Sequence, residues 1–519
     1  MIRLSQDDKP LSAKMIRNVG FGGLRALAVL PIPFLLTPLI LRKIGPQGYG
    51  TWALLVTINT LTSLADLGLL GTLSKYVAEY HARRDYVKLS RLLSSGLVIF
   101  GLLASAMMAI LWVASHTIVE RLFRGSPFTH GELLHFFHCA IVLVWINIMM
   151  FLFSSVTSGL QRLDLTNLIT ALNVVCAALA GAGLLLKGVG IQGLLYANIG
   201  SGLLALLVYC CLLRKLLPEV RMNPLLVDLD EVKKIFAFSL QIYLTQAAVA
   251  IHNHIEKIFL AFFVGVIGVG WYDIASDVAL KVRGAPGLLL SPVLPAAAEL
   301  DALGEDKKVA ELYYRAHKYL AFVSVPVVFF LVAISARFVE LWIGPSFRVV
   351  ALPLAILLLI NLFNLTTGPG YMILAGKGIL RPGMYSALVG IAINIPLGYI
   401  LIRLFGFRGA VAGTSVSLAV GAAFFLYLFH RYERASASRL VREAYLKPVS
   451  FSLILLILEF HISPAAGLSW FGLFLQGGIF VLVYGGLLIS TKFFDPYDWT
   501  KIESVLPISR VARRIVPAG

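Results

Sequence analysis

Charged residues are scarce in this chain, and their scarcity excludes a soluble globular protein. Only 14% of the 519 residues are charged, whereas 59% are hydrophobic, and the mean hydropathy is +0.86. In soluble domains about a quarter of the residues are charged. The apolar residues form continuous runs of roughly twenty and do not alternate with polar ones, which is typical of membrane-spanning helices. The composition therefore predicts an all-α polytopic membrane protein.

Cysteines and catalytic motifs are also scarce. The four cysteines, Cys139, Cys176, Cys210 and Cys211, lie in apolar runs without CxxC or metal-ligand spacing, so we expect small core residues and no metal site. The sequence has no HExxH motif, phosphate-binding loop or nucleophile motif. The loops predicted to face outward are too short to hold a catalytic domain. We therefore expect a protein that is not an enzyme and uses no cofactor. We also expect no cleavable signal peptide.

What the chain does contain is about fourteen apolar segments long enough to cross a bilayer. The first twelve cover 18–41, 48–73, 92–117, 135–159, 167–186, 193–213, 235–263, 268–294, 319–336, 349–375, 383–404 and 409–430, and the last two cover 448–462 and 468–489. The domain order that follows is a terminal segment (1–17), an N-lobe (18–213), a linker (214–234), a C-lobe (235–430), a second linker (431–447), two extra spans (448–489) and a tail (490–519).

The basic residues indicate the orientation of these spans. The chain has 44 Lys and Arg against 27 Asp and Glu, a net charge of +17. Most of the basic residues lie in loops on the side that both termini share, so both termini are predicted to be cytoplasmic. Cations at helix ends also attract anionic lipids. The net charge is therefore explained without a nucleic-acid partner.

Two short motifs recur once in each half of the chain. "IGPQGYGTWA" begins at Ile44 between the first two spans, and "VGVIGVGWYD" begins at Val264 between the seventh and eighth. "GVGIQGLLYA" from Gly188 similarly matches "LFGFRGAVAG" from Leu404. The order of the matches predicts two copies of a six-span bundle in the same orientation, related by an axis along the membrane normal.

Several polar and ionisable side chains fall inside the spans, where a charge at mid-bilayer costs about 2.5–3.5 kcal/mol. They are Arg25 in the first span, Asn59 and Asp66 in the second, Gln241, Glu256 and Lys257 in the seventh, and Asp273, Asp277, Lys281 and Arg283 in the eighth. These spans occupy corresponding positions in the two halves. We therefore predict that the side chains line a water-filled cavity between the halves.

A structural role is the alternative for some of these residues. Asp277 and Lys281 have i, i+4 spacing and can neutralise each other. Glu256 and Lys257 can each pair elsewhere, and Asp66 lies near the cytoplasmic end of its span, where it can cap or bend the helix. Arg25 has no carboxylate within one helical turn in the sequence, so a cavity role is most expected for this residue.

Three stretches resemble a known family. "RKIGPQGYGTWALL", "LADLGLLGTLSKYVAEYHARRD" and "EKIFLAFFVGVIGVGWYDIA" are similar to segments of bacterial polysaccharide flippases, including the O-antigen flippases. These belong to the multidrug/oligosaccharidyl-lipid/polysaccharide exporter superfamily. The resemblance implies two six-helix lobes arranged as a V around a central cavity, with two extra C-terminal helices. It also implies alternating-access transfer of polyprenyl-pyrophosphate-linked oligosaccharides to the outer leaflet of the plasma (inner) membrane.

The resemblance also implies functions for the charged residues within the spans. Arg25 matches an arginine that lipid II flippases place in the cavity from their first helix. Pyrophosphate binding is then expected at the cations Arg25, Lys257, Lys281 and Arg283. Tuning of cavity charge, or a response to protons, sodium or the membrane potential, is expected at Asp66, Asp273, Asp277, Glu256, Gln241 and Asn59. Expected partners are the lipid-linked oligosaccharide, membrane lipids and the polysaccharide polymerase machinery.

Two other classes of function compete with a flippase. A cation-coupled multidrug exporter of the same superfamily is expected to carry an acid in its first helix, where this chain has Arg25. Such exporters usually stop at twelve spans. A membrane-bound polymerase or ligase needs a large outward loop, which this sequence lacks.

Overall fold

The computed structural model describes residues 29–61, 69–232, 240–462 and 469–505. Within those ranges the regular secondary structure is helical throughout. The first half contains α1 (Pro31–Leu61), α2 (Leu69–Ala82), α3 (Tyr86–Val113), α4 (Ser115–Leu122), α5 (His130–Gly159), α6 (Leu163–Leu186) and α7 (Gly190–Leu216). The prediction of an all-α membrane protein is confirmed.

The second half contains twelve more helices in the described ranges. The first six are α8 (Leu240–Phe263), α9 (Val266–Gly287), α10 (Val293–Ala302), α11 (Asp306–Ile343), α12 (Ala351–Leu365) and α13 (Gly368–Gly376). The others are α14 (Arg381–Phe405), α15 (Phe407–Glu433), α16 (Ala437–Leu440), α17 (Leu446–Ile462), α18 (Trp470–Ser490) and α19 (Pro496–Val505). A π-helical turn, Val441–Tyr445, joins α16 to α17.

Every predicted span coincides, wholly or in its described part, with one or two of these helices. Nine helical segments of the described ranges are long and apolar enough to cross a membrane, so the total of fourteen stays a prediction. The tenth span is interrupted in the structure, because α12 ends at Leu365 and α13 begins at Gly368. The outward loop predicted after the third span contains the helix α4.

The glycines of the first repeat have the same two roles in both copies. Gly45 and Gly265 have positive φ angles of 73° and 93°, which favour glycine, and each breaks the chain between two helical segments. Five residues further on, Gly50 of α1 and Gly270 of α9 face each other where these helices cross. A Cβ on Gly50 would lie 1.9 Å from the carbonyl oxygen of Val266, so only glycine fits there.

The second repeat behaves in the same way. Gly190 and Gly406 have positive φ angles of 67° and 57° at the turns that begin α7 and α15. Three residues later, a Cβ on Gly193 would lie 2.8 Å from the Cβ of Leu184 in α6, and a Cβ on Gly409 would lie 2.0 Å from the carbonyl oxygen of Leu401 in α14. Each motif therefore makes one tight antiparallel helix pair in its own half.

The chain forms two compact units. The first contains the described residues up to Ile274 together with Ala387–Ser417, and the second contains Ala275–Ser386 and the described residues from Leu418 onward. In the first unit, α2, α3, α5 and α7 enclose an apolar cluster that includes Leu73, Phe100, Val144 and Tyr209. The predicted boundaries of the two six-span lobes stay a prediction.

In the second unit the two C-terminal spans pack against α11. Val325 and Phe329 of α11 share a buried cluster with Leu455 of α17 and Phe480 and Tyr484 of α18. In a membrane such contacts stabilise through close packing, because lipid tails are as apolar as the side chains themselves. The extra spans are thus an integral part of this unit.

Candidate functional site

Three helices of the first unit meet at an ion pair. Nζ of Lys257 in α8 lies 2.5 Å from Oδ1 of Asp273 in α9, and the Tyr49 hydroxyl of α1 donates a 2.7 Å hydrogen bond to Oδ2 of Asp273. The Lys257 and Asp273 side chains are only 9% and 18% exposed. Charges inside a membrane protein are tolerated when they are paired in this way. The close crossing at Gly50 brings Tyr49 within reach of the carboxylate.

The neighbouring Glu256 takes part in a different contact network. Its side chain is fully buried, and its Oε1 accepts hydrogen bonds from the Asn394 amide of α14 and, at 2.8 Å, from the Thr414 hydroxyl of α15. The Tyr272 hydroxyl of α9 lies 2.7 Å from that of Thr414. The Asn394 amide also donates a 3.0 Å hydrogen bond to Ser417. Four helices of the first unit thus enclose one carboxylate, with neutral groups as its hydrogen-bond donors.

Two oxygens of this network lack partners within the described residues. Oε2 of Glu256 and Oδ1 of Asn394 are both buried and accept no hydrogen bond. A buried polar atom left without a partner costs about 1–3 kcal/mol, and more if it is charged. A proton on Glu256 would lower that cost. So would a small cation, because carboxylate, amide and hydroxyl oxygens are ligands for hard cations.

The charged residues in the second-unit part of α9 have different surroundings. Lys281 contacts Asp277 one turn before it, which is the arrangement expected if the two simply neutralise each other. Arg283 is half-buried and makes no ion pair with any residue that the structure describes. Within the described part of the chain it is therefore the cation of α9 without an acidic partner.

Asn59 lies in a separate polar pocket of the first unit. Its Oδ1 accepts a 2.8 Å hydrogen bond from Asn147 of α5, and its Nδ2 donates a 3.2 Å bond to the carbonyl of Ala140. Asn173 and Asn198 line the same pocket, which has a volume of about 130 Å³. Amide groups offer hydrogen-bond donors and acceptors together.

Some predicted site residues cannot be placed in this geometry. Arg25 and Asp66 lie outside the described residues, as does the side chain of Gln241. The prediction of a common cavity lined by all ten residues therefore stays a prediction. The structure brings Lys257 to Asp273 and Lys281 to Asp277, and it separates Glu256 from both pairs by giving it neutral partners.

The sequence reasoning missed Tyr49, Asn147, Asn394 and Thr414. The predicted cavity drew on the polar faces of the first two spans of each half, whereas Asn394 and Thr414 lie in the eleventh and twelfth spans. A signal was present, because Asn394 is a lone amide in the apolar run "GIAINIPLG", two residues before Pro396. A polar residue in a transmembrane helix generally faces other helices or a cavity.

The fold and the buried charges together define a multi-pass helical membrane protein of the transporter type. A family model for polysaccharide biosynthesis proteins matches residues 15–299, more than half of the chain. The chain belongs to this polysaccharide biosynthesis family.

Two curated proteins are similar over most of their length. A protein named "Putative O-antigen transporter" from Shigella flexneri is 19% identical over 399 residues, which are 75% of this chain and 91% of that protein. A protein named "Probable flippase AglR" from Haloferax volcanii is 20% identical over 397 residues, which are 75% of this chain and 78% of that protein.

Solved structures share the fold. The lipid II flippase MurJ in an inward closed conformation aligns with a TM-score of 0.70 at 15% identity, covering 93% of this chain and 99% of MurJ. An inward-facing multidrug resistance transporter of the MATE family aligns with a TM-score of 0.63 at 16% identity, covering 81% of this chain and 99% of that transporter. The alignment with MurJ covers more of this chain, and the likeness to both concerns the fold alone.

Proposed function

We propose that this protein is a flippase that moves a polyprenyl-pyrophosphate-linked oligosaccharide from the inner to the outer leaflet of the plasma membrane for the synthesis of a cell-surface polysaccharide. The observation that carries the proposal is membership of the polysaccharide biosynthesis family. The names of the two similar proteins, a putative O-antigen transporter and a probable flippase, agree with it.

The chemistry of the proposed cargo explains why its transfer needs a protein with polar and cationic groups inside the membrane. An oligosaccharide has many hydroxyls, and each costs about 1–3 kcal/mol or more if it enters an apolar phase without a partner. A protein must therefore supply partners during transfer, and the asparagine pocket around Asn59 is of the required kind. The pyrophosphate needs cations, for which guanidinium groups are well suited. Arg283 keeps an unpaired charge within the described residues, and Arg25 is the matching candidate from the first span.

The direct test of this function is genetic. Deletion of the gene should make the lipid-linked glycan accumulate with its sugar exposed on the cytoplasmic leaflet. Inverted membrane vesicles treated with a glycosidase would show this, since the glycan becomes cleavable from the cytoplasmic side. Normal export of the polysaccharide in a deletion strain without a paralogue would contradict the proposal.

Arg25 gives the sharpest test of pyrophosphate binding. Arg25→Ala should leave membrane abundance unchanged and reduce export strongly, and Arg25→Lys should restore export only in part, because an ammonium cannot form the bidentate contact. If Arg25 is instead a structural counter-ion of Asp66, Arg25→Ala should lower abundance. Recovery of both quantities in a double variant that also carries Asp66→Ala would contradict the pyrophosphate role.

We further propose that the Glu256 network is where transport couples to a proton or sodium gradient. Its support is a pair of buried oxygens, on Glu256 and Asn394, for which the described part of the chain provides no hydrogen-bond partner. In reconstituted vesicles a pH or sodium gradient should drive transfer, and Glu256→Gln should abolish that dependence. A suitable control is Glu459→Gln, since Glu459 of α17 is also a buried glutamate in a predicted span, and one of its oxygens has no partner among the residues described. Transfer by the wild type that responds to neither gradient would contradict the coupling.

A multidrug exporter is the second candidate function, favoured by the fold shared with the MATE transporter. Cells that lack the gene should then become sensitive to cationic dyes, whereas the flippase function predicts unchanged sensitivity. The two functions are thus separated by one growth assay.

A further inference from the structure

A charged pocket in the second unit lies apart from all the residues discussed so far. It has a volume of about 450 Å³ and is formed by the N-terminal part of α11, the π-helical turn with the start of α17, and the segment after α18. The cations that line it are Arg315, Lys318, Arg439, Arg442, Lys447 and Lys492. The acids that line it are Glu311, Glu443 and Asp495. We refer to it as the basic pocket.

The acids of the basic pocket are already paired. Glu311 and Asp495 contact Arg315 at 2.7 and 3.1 Å, and Glu443 contacts Arg439 at 2.9 Å. Lys318 lies 2.5 Å from Asp498, a buried residue of α19. Half of the cations are therefore neutralised by the protein itself.

The other three cations have no carboxylate partner among the described residues. They are Arg442, Lys447 and Lys492. Nζ of Lys447 donates a 2.6 Å hydrogen bond to the carbonyl of Thr491, the residue before Lys492, so this contact joins the start of α17 to the segment that carries Lys492. Like charges repel each other, and a phosphate group between them would remove the repulsion.

An apolar groove lies between α11, which also lines the basic pocket, and α18, which precedes the segment that carries Lys492. Pro326, Val327 and Phe330 of α11 and Phe474 and Gly478 of α18 are among the residues that line it, and its volume is about 560 Å³. Pro326 follows Lys318 of the basic pocket by two helical turns, or about 12 Å of α11. That distance is within the roughly 15 Å that the acyl chains of one leaflet span. Phe474 is 76% exposed, so the groove opens at the surface of this unit.

We propose that the basic pocket and the apolar groove together bind an anionic glycerophospholipid, with its phosphate among Arg442, Lys447 and Lys492 and an acyl chain between α11 and α18. The pocket is at the ends of predicted spans nine, thirteen and fourteen, on the side predicted to be cytoplasmic, where a headgroup lies. A free phosphate would satisfy the cations but would leave the groove unexplained. Each juxtamembrane cation contributes about five-fold to the affinity for anionic lipid, and three contribute roughly a hundred-fold.

Native mass spectrometry of the full-length protein in detergent would test the headgroup. Phosphatidylglycerol should bind roughly a hundred-fold more tightly than phosphatidylcholine with the same acyl chains, and the triple variant Arg442→Gln, Lys447→Gln, Lys492→Gln should lose that preference. The matched control removes three exposed cations elsewhere, Arg84→Gln, Arg214→Gln and Lys215→Gln. Equal losses in both variants, or equal binding of the two lipids, would overturn the proposal.

A second pair of variants tests the acyl chain. A Cβ on Gly478 or on Gly486 of α18 would meet no atom within 4 Å, but only Gly478 lines the groove. Gly478→Leu should therefore weaken binding of long-chain phosphatidylglycerol and spare the dihexanoyl form, whereas Gly486→Leu should change neither. Displacement of the lipid by inorganic pyrophosphate alone would assign the pocket to a free phosphate compound. Preferential binding of a polyprenyl phosphate over phosphatidylglycerol would assign it to the cargo. Either result would refute the phospholipid.

Discussion

The Lys257–Asp273 pair offers a quantitative test of the site, with an internal control on the same chain. Lys257→Met removes the charge and keeps the length of the side chain. The carboxylate of Asp273 is then left without its ammonium partner in surroundings where both side chains are at most 18% exposed. Removal of one partner from a buried ion pair costs about 3–5 kcal/mol. The hydrogen bond from Tyr49 remains and places the expected loss at the lower end of that range.

Lys281→Met is the matched control. It makes the same chemical change in a pair whose side chains are 20% and 43% exposed and whose members lie one turn apart on α9. An i, i+4 pair of this kind contributes about 0.3–0.5 kcal/mol. Lys257→Met is therefore expected to destabilise the protein by several times more than Lys281→Met does, and the difference should be visible in thermal unfolding of the detergent-solubilised protein.

The double variant Lys257→Met, Asp273→Asn completes the experiment. Because it removes both charges and Asn still accepts the hydrogen bond from Tyr49, it should recover most of the lost stability. If Lys257→Met is no more destabilising than Lys281→Met, the buried pair does not stabilise the fold and the reasoning is refuted. If Lys257→Met leaves abundance intact, reduces export, and is not rescued by Asp273→Asn, Lys257 binds cargo instead.

Three other predictions follow from the fold and its charges. Gly50→Ala should lower the unfolding temperature, because its Cβ would lie 1.9 Å from a backbone oxygen, whereas Gly183→Ala in α6, with no atom within 4 Å, should leave it unchanged or higher. In an otherwise cysteine-free chain, an impermeant thiol reagent should label Lys187→Cys but not Lys215→Cys in intact cells, and the reverse would overturn the predicted topology. Burial raises the pKa of Asp498, but hydrogen bonds from Lys318, Tyr319 and the Asp495 backbone outweigh burial and hold the folded-state pKa below the usual range of an aspartate. Its stabilising effect is then present above about pH 4 and is lost as the pH falls through the folded-state pKa, so wild type and Asp498→Asn should converge in unfolding temperature at acid pH.

The sequence predicted the helical fold well because a bilayer leaves few alternatives. A spanning segment must satisfy its own backbone hydrogen bonds, so a run of apolar residues that crosses as a single segment does so as a helix. The predicted spans fall on helices for this reason. The internal repeat can also be recognised from the sequence, because Gly45 and Gly265 occupy positions where positive φ angles exclude most other residues. A backbone requirement of this kind restricts the residue type at a position, so the sequence alone reveals it.

The partners of the charged side chains were less predictable. The i, i+4 contact between Asp277 and Lys281 is local, and helical geometry alone suggests it. The contact of Lys257 with Asp273 joins two helices, and that of Glu256 with Asn394 joins residues 138 positions apart. Such pairs depend on how the helices pack, which periodicity within a single span does not encode. A complete list of the polar residues in all spans would have included Asn394 and Thr414 as candidates without identifying their partner.

The different surroundings of Glu256 and Lys257 matter most for the mechanism. Adjacent residues on α8 face different neighbours, so one charge is neutralised by Asp273 and the other is held by neutral amide and hydroxyl groups. A paired charge is a poor sensor, because a change in protonation or ion binding would have to break the pair first. A carboxylate with neutral partners, and with one oxygen that has no hydrogen-bond partner among the described residues, can gain a proton or a cation without losing a salt bridge. That carboxylate contacts α14 and α15, so under the coupling proposed above such a gain would act on contacts among three helices at once.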